Sequence, residues 1–231
     1  MGLSGLSGLS GISMGNGGSA PVVPWYLSGG VASENCLAAY LSKGAASYAA
    51  SKLNIANPGA HDLSEGTGGA VAWATGTGWV FNNDSTKVLK TDIVPAIGTT
   101  TAIVQFSNAS SGYVLGCLNL TPVYFYMHPV NSTNVTYAAG GVSGAVNRSP
   151  QLASGNLAIS GLSIYRNGAQ DGADIVSSGD LSGVPIYIGA GNLQNIIAAS
   201  PFIGRVYAVA IYNTALTPAQ ISAVAASMAS F

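Results

Sequence analysis

Charge is the scarcest property of this sequence: Asp, Glu, Lys and Arg together make 6% of its 231 residues, where roughly 25% is usual for soluble domains. Seven Lys and Arg stand against eight Asp and Glu, so no cationic stripe exists to neutralise phosphates, which argues against a nucleic-acid partner. Cysteine is almost absent. Cys36 and Cys117 permit one disulfide or two buried thiols; a pair in so long a chain is no disulfide framework, and buried free thiols are the expectation. His61 and His128 are the only imidazoles. No His/Cys group has zinc spacing, and neither a metal nor another cofactor is expected. No apolar run reaches the ~20 residues of a membrane span. Membrane insertion is therefore not expected; nor is a secretory signal, since no Lys or Arg precedes Lys43 and the N-terminus has no continuous apolar core, and synthesis in a cytoplasm is the simplest reading.

What replaces charge is Gly, Ser, Thr, Ala and Asn, with 31 glycines in all. A surface this uncharged protects a monomer poorly against association, so the composition favours life in an assembly. Residues 1–24 form a glycine-rich arm and linker, and 25–231 the folded domain. Within the arm Gly recurs at 2, 5, 8 and 11, too briefly and without the proline a collagen helix needs. The segment reads either as a disordered tail or as an extended arm that orders against a partner, with Leu3, Leu6, Leu9 and Ile12 as apolar pegs. Pro21 and Pro24 bias the linker towards extended backbone.

From residue 70 onward short β runs alternate with turn residues, the spacing of an all-β antiparallel sandwich or jelly roll. The candidate strands are 35–40, 70–73, 79–81, 87–91, 100–107, 112–118, 123–128, 135–139, 156–166, 169–175, 184–189 and 203–212. Segment 44–56 reads as helical or irregular. Hairpin turns are expected at Asn82 to Ser85, a tetrad of turn formers, and at Asn167 and Gly168, which suit a type I′ turn. A single helix is predicted over 217–229. Thr217 and Gln220 spell a capping box, Pro218 occupies the first turn, and Ile221, Val224, Ala225 and Met228 make a narrow apolar stripe.

With these elements placed, three segments resemble the laminin G-like, concanavalin A-like jelly-roll family in its pentraxin-like branch. Segment 81–89 (FNNDSTKVL) is similar to the family's early F-D-G-x-x-D-Y-V hairpin, and 163–168 (SIYRNG) to its late L-Y-V-D-G hairpin. The most specific match is 204–221 (GRVYAVAIYNTALTPAQI), similar to the closing G-x-I-x-x-V-x-I-Y-N-x-A-L-S-x-x-E-I. The resemblance covers residues 34–229. The glycine-rich arm and the Pro24-to-Gly30 entry also resemble bacteriophage and prophage fibre, spike or decoration proteins. That implies a virion protein made in a host cytoplasm, a homo-oligomer such as a trimer, attached to other virion proteins by its arm and touching host-surface carbohydrate. The family's closing strand often carries charge where this chain has Tyr207, Ala208 and Ala210; a strand apolar on both faces is doubly covered or part of an interface. Asn82 stands where an Asp is usual, which removes a carboxylate from any calcium site near Asp84.

The residues themselves offer little catalysis. Glycoside hydrolysis needs two opposed carboxylates, and no E-x-D-x-E pattern is present; Asp171 and Asp174 fall on opposite faces of a regular strand. No enzyme is expected, with a glucanase-like hydrolase the distant alternative. His128, beside Pro129, reads as a strand-end surface residue. Binding is the remaining chemistry. In 123–128, Val123, Phe125 and Met127 face one way and Tyr124, Tyr126 and His128 the other, a spacing suited to stacking on sugars. That face is the candidate glycan site; the competing reading packs it against a subunit or under a loop. Trp25, Trp73 and Trp79 read as buried anchors. The virion structural role and a lectin-like module without one are the two functions the sequence supports.

Overall fold

The computed structural model describes residues 23–120, 122–141, 144–176 and 178–231; Leu3, Leu6, Leu9 and Ile12 lie outside these residues. The described chain opens with 3-10 turns at Trp25–Leu27 and Ser33–Asn35, then enters β1 (Cys36–Leu41). One helical turn, α1 (Tyr48–Ser51), precedes β2 (Ser64–Glu65), β3 (Ala72–Ala74), β4 (Gly78–Asn82) and β5 (Leu89–Lys90). The middle of the chain supplies β6 (Thr101–Ser111), β7 (Leu115–Leu118), β8 (Val123–Asn131), β9 (Asn134–Gly141) and β10 (Ala145–Arg148). β11 (Gly155–Ser160), β12 (Ser163–Arg166) and β13 (Ala169–Gln170) follow. β14 (Tyr187–Ile188), β15 (Gly191–Leu193), β16 (Ile197–Ala199), β17 (Ile203–Tyr212) and α2 (Pro218–Met228) complete it.

These strands build two sheets, almost wholly antiparallel, packed as a sandwich. The eight-stranded sheet runs β13-β12-β11-β6-β17, with β4 and then β3 continuing beyond the first half of β17 and β1 paired along its second half. The nine-stranded sheet runs β10-β9-β8-β7-β14-β5-β2, and β15 joins β7 in parallel with β16 outside it. Between the sheets lies the main core, with Trp79, Phe106, Phe125, Met127, Val209 and Ile211 fully buried.

β17 explains why its sequence is apolar on both faces. Val206, Val209 and Ile211 enter the core, whereas Ala208, Ala210 and Tyr212 point to the other side of the sheet, beneath α2. The helix buries Ile221, Val224, Ala225 and Met228 there, the stripe read from its spacing. Alanines at 208 and 210 hold no bulk between sheet and helix. The capping box is formed as expected: the Thr217 side chain accepts from the Gln220 amide, and the Gln220 side chain accepts from the Thr217 amide at 3.0 Å. Among the described residues α2 is the one helix longer than a single turn. Trp79 and Trp73 anchor as expected, their indole N–H groups donating to Ser51 Oγ at 2.9 Å and the Ser42 carbonyl at 2.8 Å. Both cysteines are buried free thiols; burial pushes Cys36 up to about 12 and raises Cys117 as well.

Four local expectations need correction. Asn82 to Ser85 is no hairpin: β4 lies in one sheet and β5 in the other, so this turn carries the chain across the sandwich. Segment 156–166 is two strands, because Gly161, at φ +60°, reverses the chain between β11 and β12. β13 stops at Gln170, so Asp171 and Asp174 do not alternate along a strand. Strand β8 continues through Pro129 to Asn131, which makes His128 a half-buried interior position of the strand. The Asn167 and Gly168 turn is as predicted, with φ of +50° and +79° between Arg166 and Ala169, the left-handed pair a type I′ turn requires.

Candidate functional site

The helix covers one outer face of the sandwich; the outer face of the nine-stranded sheet carries the candidate site. Strand alternation decides which side chains reach it. Leu115, Cys117, Phe125, Met127, Ile188 and Leu89 point into the core, so their neighbours point away. A single lateral row shows the result: Ala138, Tyr126, Gly116, Tyr187, Lys90 and Ser64 are successive cross-strand partners from β9 to β2. Strands lie about 4.8 Å apart, which puts Tyr126 and Tyr187 roughly 10 Å apart along the row. Gly116 between them is required by closeness, since a Cβ there would stand 2.5 Å from the Tyr126 Cβ.

The row divides into two regions. Around β8 the predicted residues Tyr124, Tyr126 and His128 do share one face, and Tyr113, which the sequence reading passed over, joins them. The Tyr113 ring lies 4.3 Å from Tyr126 and 5.1 Å from His128, and Tyr124 lies 6.1 Å from Tyr126. Tyr126 is only 8% exposed, packed with Leu118 and Ala138 beneath Tyr113, Leu193 and Ala199. Tyr124 and His128 are half-buried. Nε2 of His128 accepts a hydrogen bond from the Gly112 amide at 3.0 Å, which places the neutral ring's proton on Nδ1. Burial lowers its pKa to about 4, opposed by a hydrogen bond to the Val130 backbone. This is a well-packed aromatic cluster with Tyr124 and His128 at its margin.

Around β5 and β14 the face opens into a cleft of about 210 Å³, lined among others by Thr67, Thr86, Lys90, Tyr187, Asn195 and Ile196. Val88 and Tyr187, which pack on the buried Ala190, line it from the sheet. Its walls are two loops. The first, at 66–68, is laced to the crossing segment: Gly66 N–H donates to the Val88 carbonyl at 2.8 Å and Gly68 N–H to Thr86 at 2.9 Å. The second is the β15–β16 turn, held by Asn192: its Oδ1 accepts from the Asn195 amide at 2.8 Å, and its Nδ2 donates to Asn195 Oδ1 at 2.9 Å. That turn presents Ile196, 71% exposed, at the cleft. The Lys90 ammonium sits 5.5 Å from the centre of the Tyr187 ring. A cleft with hydroxyls, an amide, an aromatic ring, an aliphatic wall and one ammonium can hydrogen-bond and pack against a polyhydroxylated ligand.

All eight carboxylates are engaged locally. Glu65 pairs with Lys52 at 2.5 Å, Asp92 with His61 at 2.6 Å and Asp171 with Arg166 at 2.9 Å. Asp84 accepts from Thr86, Asp62 from the Asn54 amide, Asp174 from Gln170, Asp180 from Ser182 and Glu34 from Ser33. Among the described residues no group of three or more His, Cys, Asp or Glu is placed to hold a metal ion. The cleft escaped sequence reading because its residues come from four segments, 66–67, 85–90, 187 and 195–198; no motif spans them, and the crossing at Asn82 to Ser85 was the one signal nearby.

Comparison with known proteins follows the fold. A family model described as the concanavalin A-like lectin/glucanases superfamily matches residues 93–222. Among solved structures, domain 4 of an extracellular arabinanase from Geobacillus stearothermophilus, in complex with arabinotriose, is similar with a TM-score of 0.54 and 17% identity, covering 83% of this chain and 98% of that one. The sialidase of Trypanosoma rangeli, in complex with sialic acid, is similar with a TM-score of 0.55 and 14% identity over 80% of this chain. This chain spans 32% of the sialidase's length. No curated protein sequence matches the chain.

Proposed function

The chain belongs to the concanavalin A-like lectin/glucanases superfamily, and from that premise we propose that it binds carbohydrate, without cleaving it, in the cleft over Tyr187 and Lys90. The observation that carries the reading is the cleft itself: a recess on the sheet face that no helix among the described residues covers, lined by Thr67, Thr86, Asn195, Tyr187 and Lys90. The absence of cleavage is supported by the carboxylates, each turned to a partner of its own, with none lining the cleft. That an arabinanase domain of the same fold holds arabinotriose supports sugar as the ligand class. The test is a titration of neutral and acidic oligosaccharides, followed by backbone amide shifts. Binding with shifts at 66–67, 85–90 and 195–198 is expected. Silence across the panel at millimolar sugar overturns the reading, and shifts confined to Tyr113, Tyr124 and Tyr126 move the site to the aromatic cluster.

The position of the chain's entry favours a structural role alongside binding. The first described residue, Val23, leads into the Trp25–Leu27 turn, which packs beside α2 on the helix-covered face. The described chain thus begins beside the helix-covered face, on the other sheet from the cleft. We infer that the arm anchors the protein in a virion, as a head decoration, head fibre or tail fibre component, and that the jelly roll presents its nine-stranded sheet outward to host glycans. A chain with only 6% charged residues suits a homo-oligomer. Native mass measurement of the full chain tests this; a clean monomer that fails to join particles would sink it.

A further inference from the structure

Among the described residues Lys90 is the only charged one lining the cleft. It stands half-buried on β5, directly opposite Tyr187 on one side and Ser64 on the other. Its ammonium lies over the Tyr187 ring, a contact that steadies a cation while leaving its hydrogens unsatisfied. Among the described residues it has no ion-pair partner: the three pairs present are Lys52 with Glu65, His61 with Asp92 and Arg166 with Asp171. The carboxylates that border this region are spoken for. Glu65, next to Ser64 on β2, is drawn to Lys52; Asp84 is held by the Thr86 hydroxyl and amide at 2.6 Å and 2.9 Å, with Lys87 beside it; Asp92 turns to His61. The cleft thus has net positive charge with no internal counter-ion, in a protein whose surface otherwise avoids charge.

Resting on the carbohydrate reading above, we propose that the cleft selects saccharides bearing an anionic group, carboxylate or sulfate, with Lys90 as the residue that recognises the charge. Hydroxyls of Thr67 and Thr86 and the Asn195 side chain line the same recess and would meet the neutral hydroxyls of the ring. An ammonium already partly desolvated by Tyr187 gives more to an anion than an exposed surface lysine does.

The experiment titrates the full chain with digalacturonate and its neutral methyl ester, and with sulfated lactose against lactose. At low salt the anionic member of at least one pair should bind about tenfold more tightly, and the preference should shrink as salt screens the charge. Lys90→Gln should erase it by weakening the anionic member of the pair more than the neutral one, and Lys90→Arg should keep it. An unchanged melting temperature in both variants separates recognition from folding, and Arg failing to preserve what Gln loses counts against a charge contact. Equal binding of charged and neutral partners by the parent protein overturns the anionic preference but leaves carbohydrate binding standing. A preference that survives Lys90→Gln overturns the assignment to Lys90. No binding of any probe overturns both, and the pair of sugars that shows the preference tells carboxylate from sulfate.

Discussion

The two outer faces of the sandwich are built from the same strand chemistry and end in opposite states. On the eight-stranded sheet, Cys36, Ala39, Ile103, Ala158, Ala208, Ala210 and Tyr212 are covered by α2 and by the Trp25–Leu27 turn. On the nine-stranded sheet, Tyr126 is roofed by single side chains, and a few residues along the same row the face lies open above Tyr187 and Lys90. Small residues explain the difference. Alanine on β1, β11 and β17 lets a helix lie flat against the sheet, whereas tyrosine on β8 and β14 fills its own surroundings and leaves a recess where the strands shorten. A covered face contributes stability; a face filled only in part can bind.

That contrast can be broken most sharply at the helix. Ile221→Ala removes a fully buried side chain from the covered face and should cost about 2–5 kcal/mol of unfolding free energy, measured by urea denaturation. A loss below about 1 kcal/mol would mean the helix is dispensable. On the other face, Tyr126→Ala should cost about 2 kcal/mol, because its ring packs on Tyr113, while Tyr124→Ala should cost less than half of that. Equal, negligible costs would make the aromatic cluster an open binding surface after all.

The third prediction uses pH. His128 is held neutral, its pKa lowered to about 4 by burial, against about 6.5 in the unfolded chain. Between these values the unfolded state binds more protons, so stability falls as pH drops from about 6.5 towards 4 and is complete above that window. The melting temperature should fall by several degrees across it, and His128→Gln should flatten that part of the profile; a profile unchanged by the substitution would show that His128 is not the group responsible. Smaller again, Thr217→Ala should cost about 1 kcal/mol by removing the helix cap, again read from urea denaturation. Deleting residues 1–19 should leave the melting temperature unchanged, since so glycine-rich a segment contributes little to domain stability, while abolishing incorporation into the assembly we infer. A large drop in the truncated domain's melting temperature would show that the arm is part of the fold.

Local rules made much of the fold legible. The Thr217 and Gln220 capping box, the Asn167 and Gly168 turn, and the alternation of Phe125 and Met127 against Tyr124 and Tyr126 each depend on neighbours a few residues apart, and each stands as read. The crossing at Asn82 to Ser85 was misread because a turn former states that the chain bends, not which sheet receives it. Gly161 was passed over because a continuous apolar run hides a reversal that one left-handed residue can make.

By itself, then, the sequence determined that this is a β-sandwich closed by one amphipathic helix, with β17 apolar on both faces and Tyr126 turned away from Phe125, because backbone dihedrals, caps and two-residue periodicity act within a few positions of the chain. Only the tertiary structure decided that the second face of β17 is covered by the chain's own helix, that Tyr113 stacks on Tyr126, and that Thr67, Lys90, Tyr187 and Asn195 meet around one recess. Those outcomes depend on strand order and cross-strand register between segments as far apart as Gly66 and Ala198, and no local preference in the chain encodes which strands become neighbours.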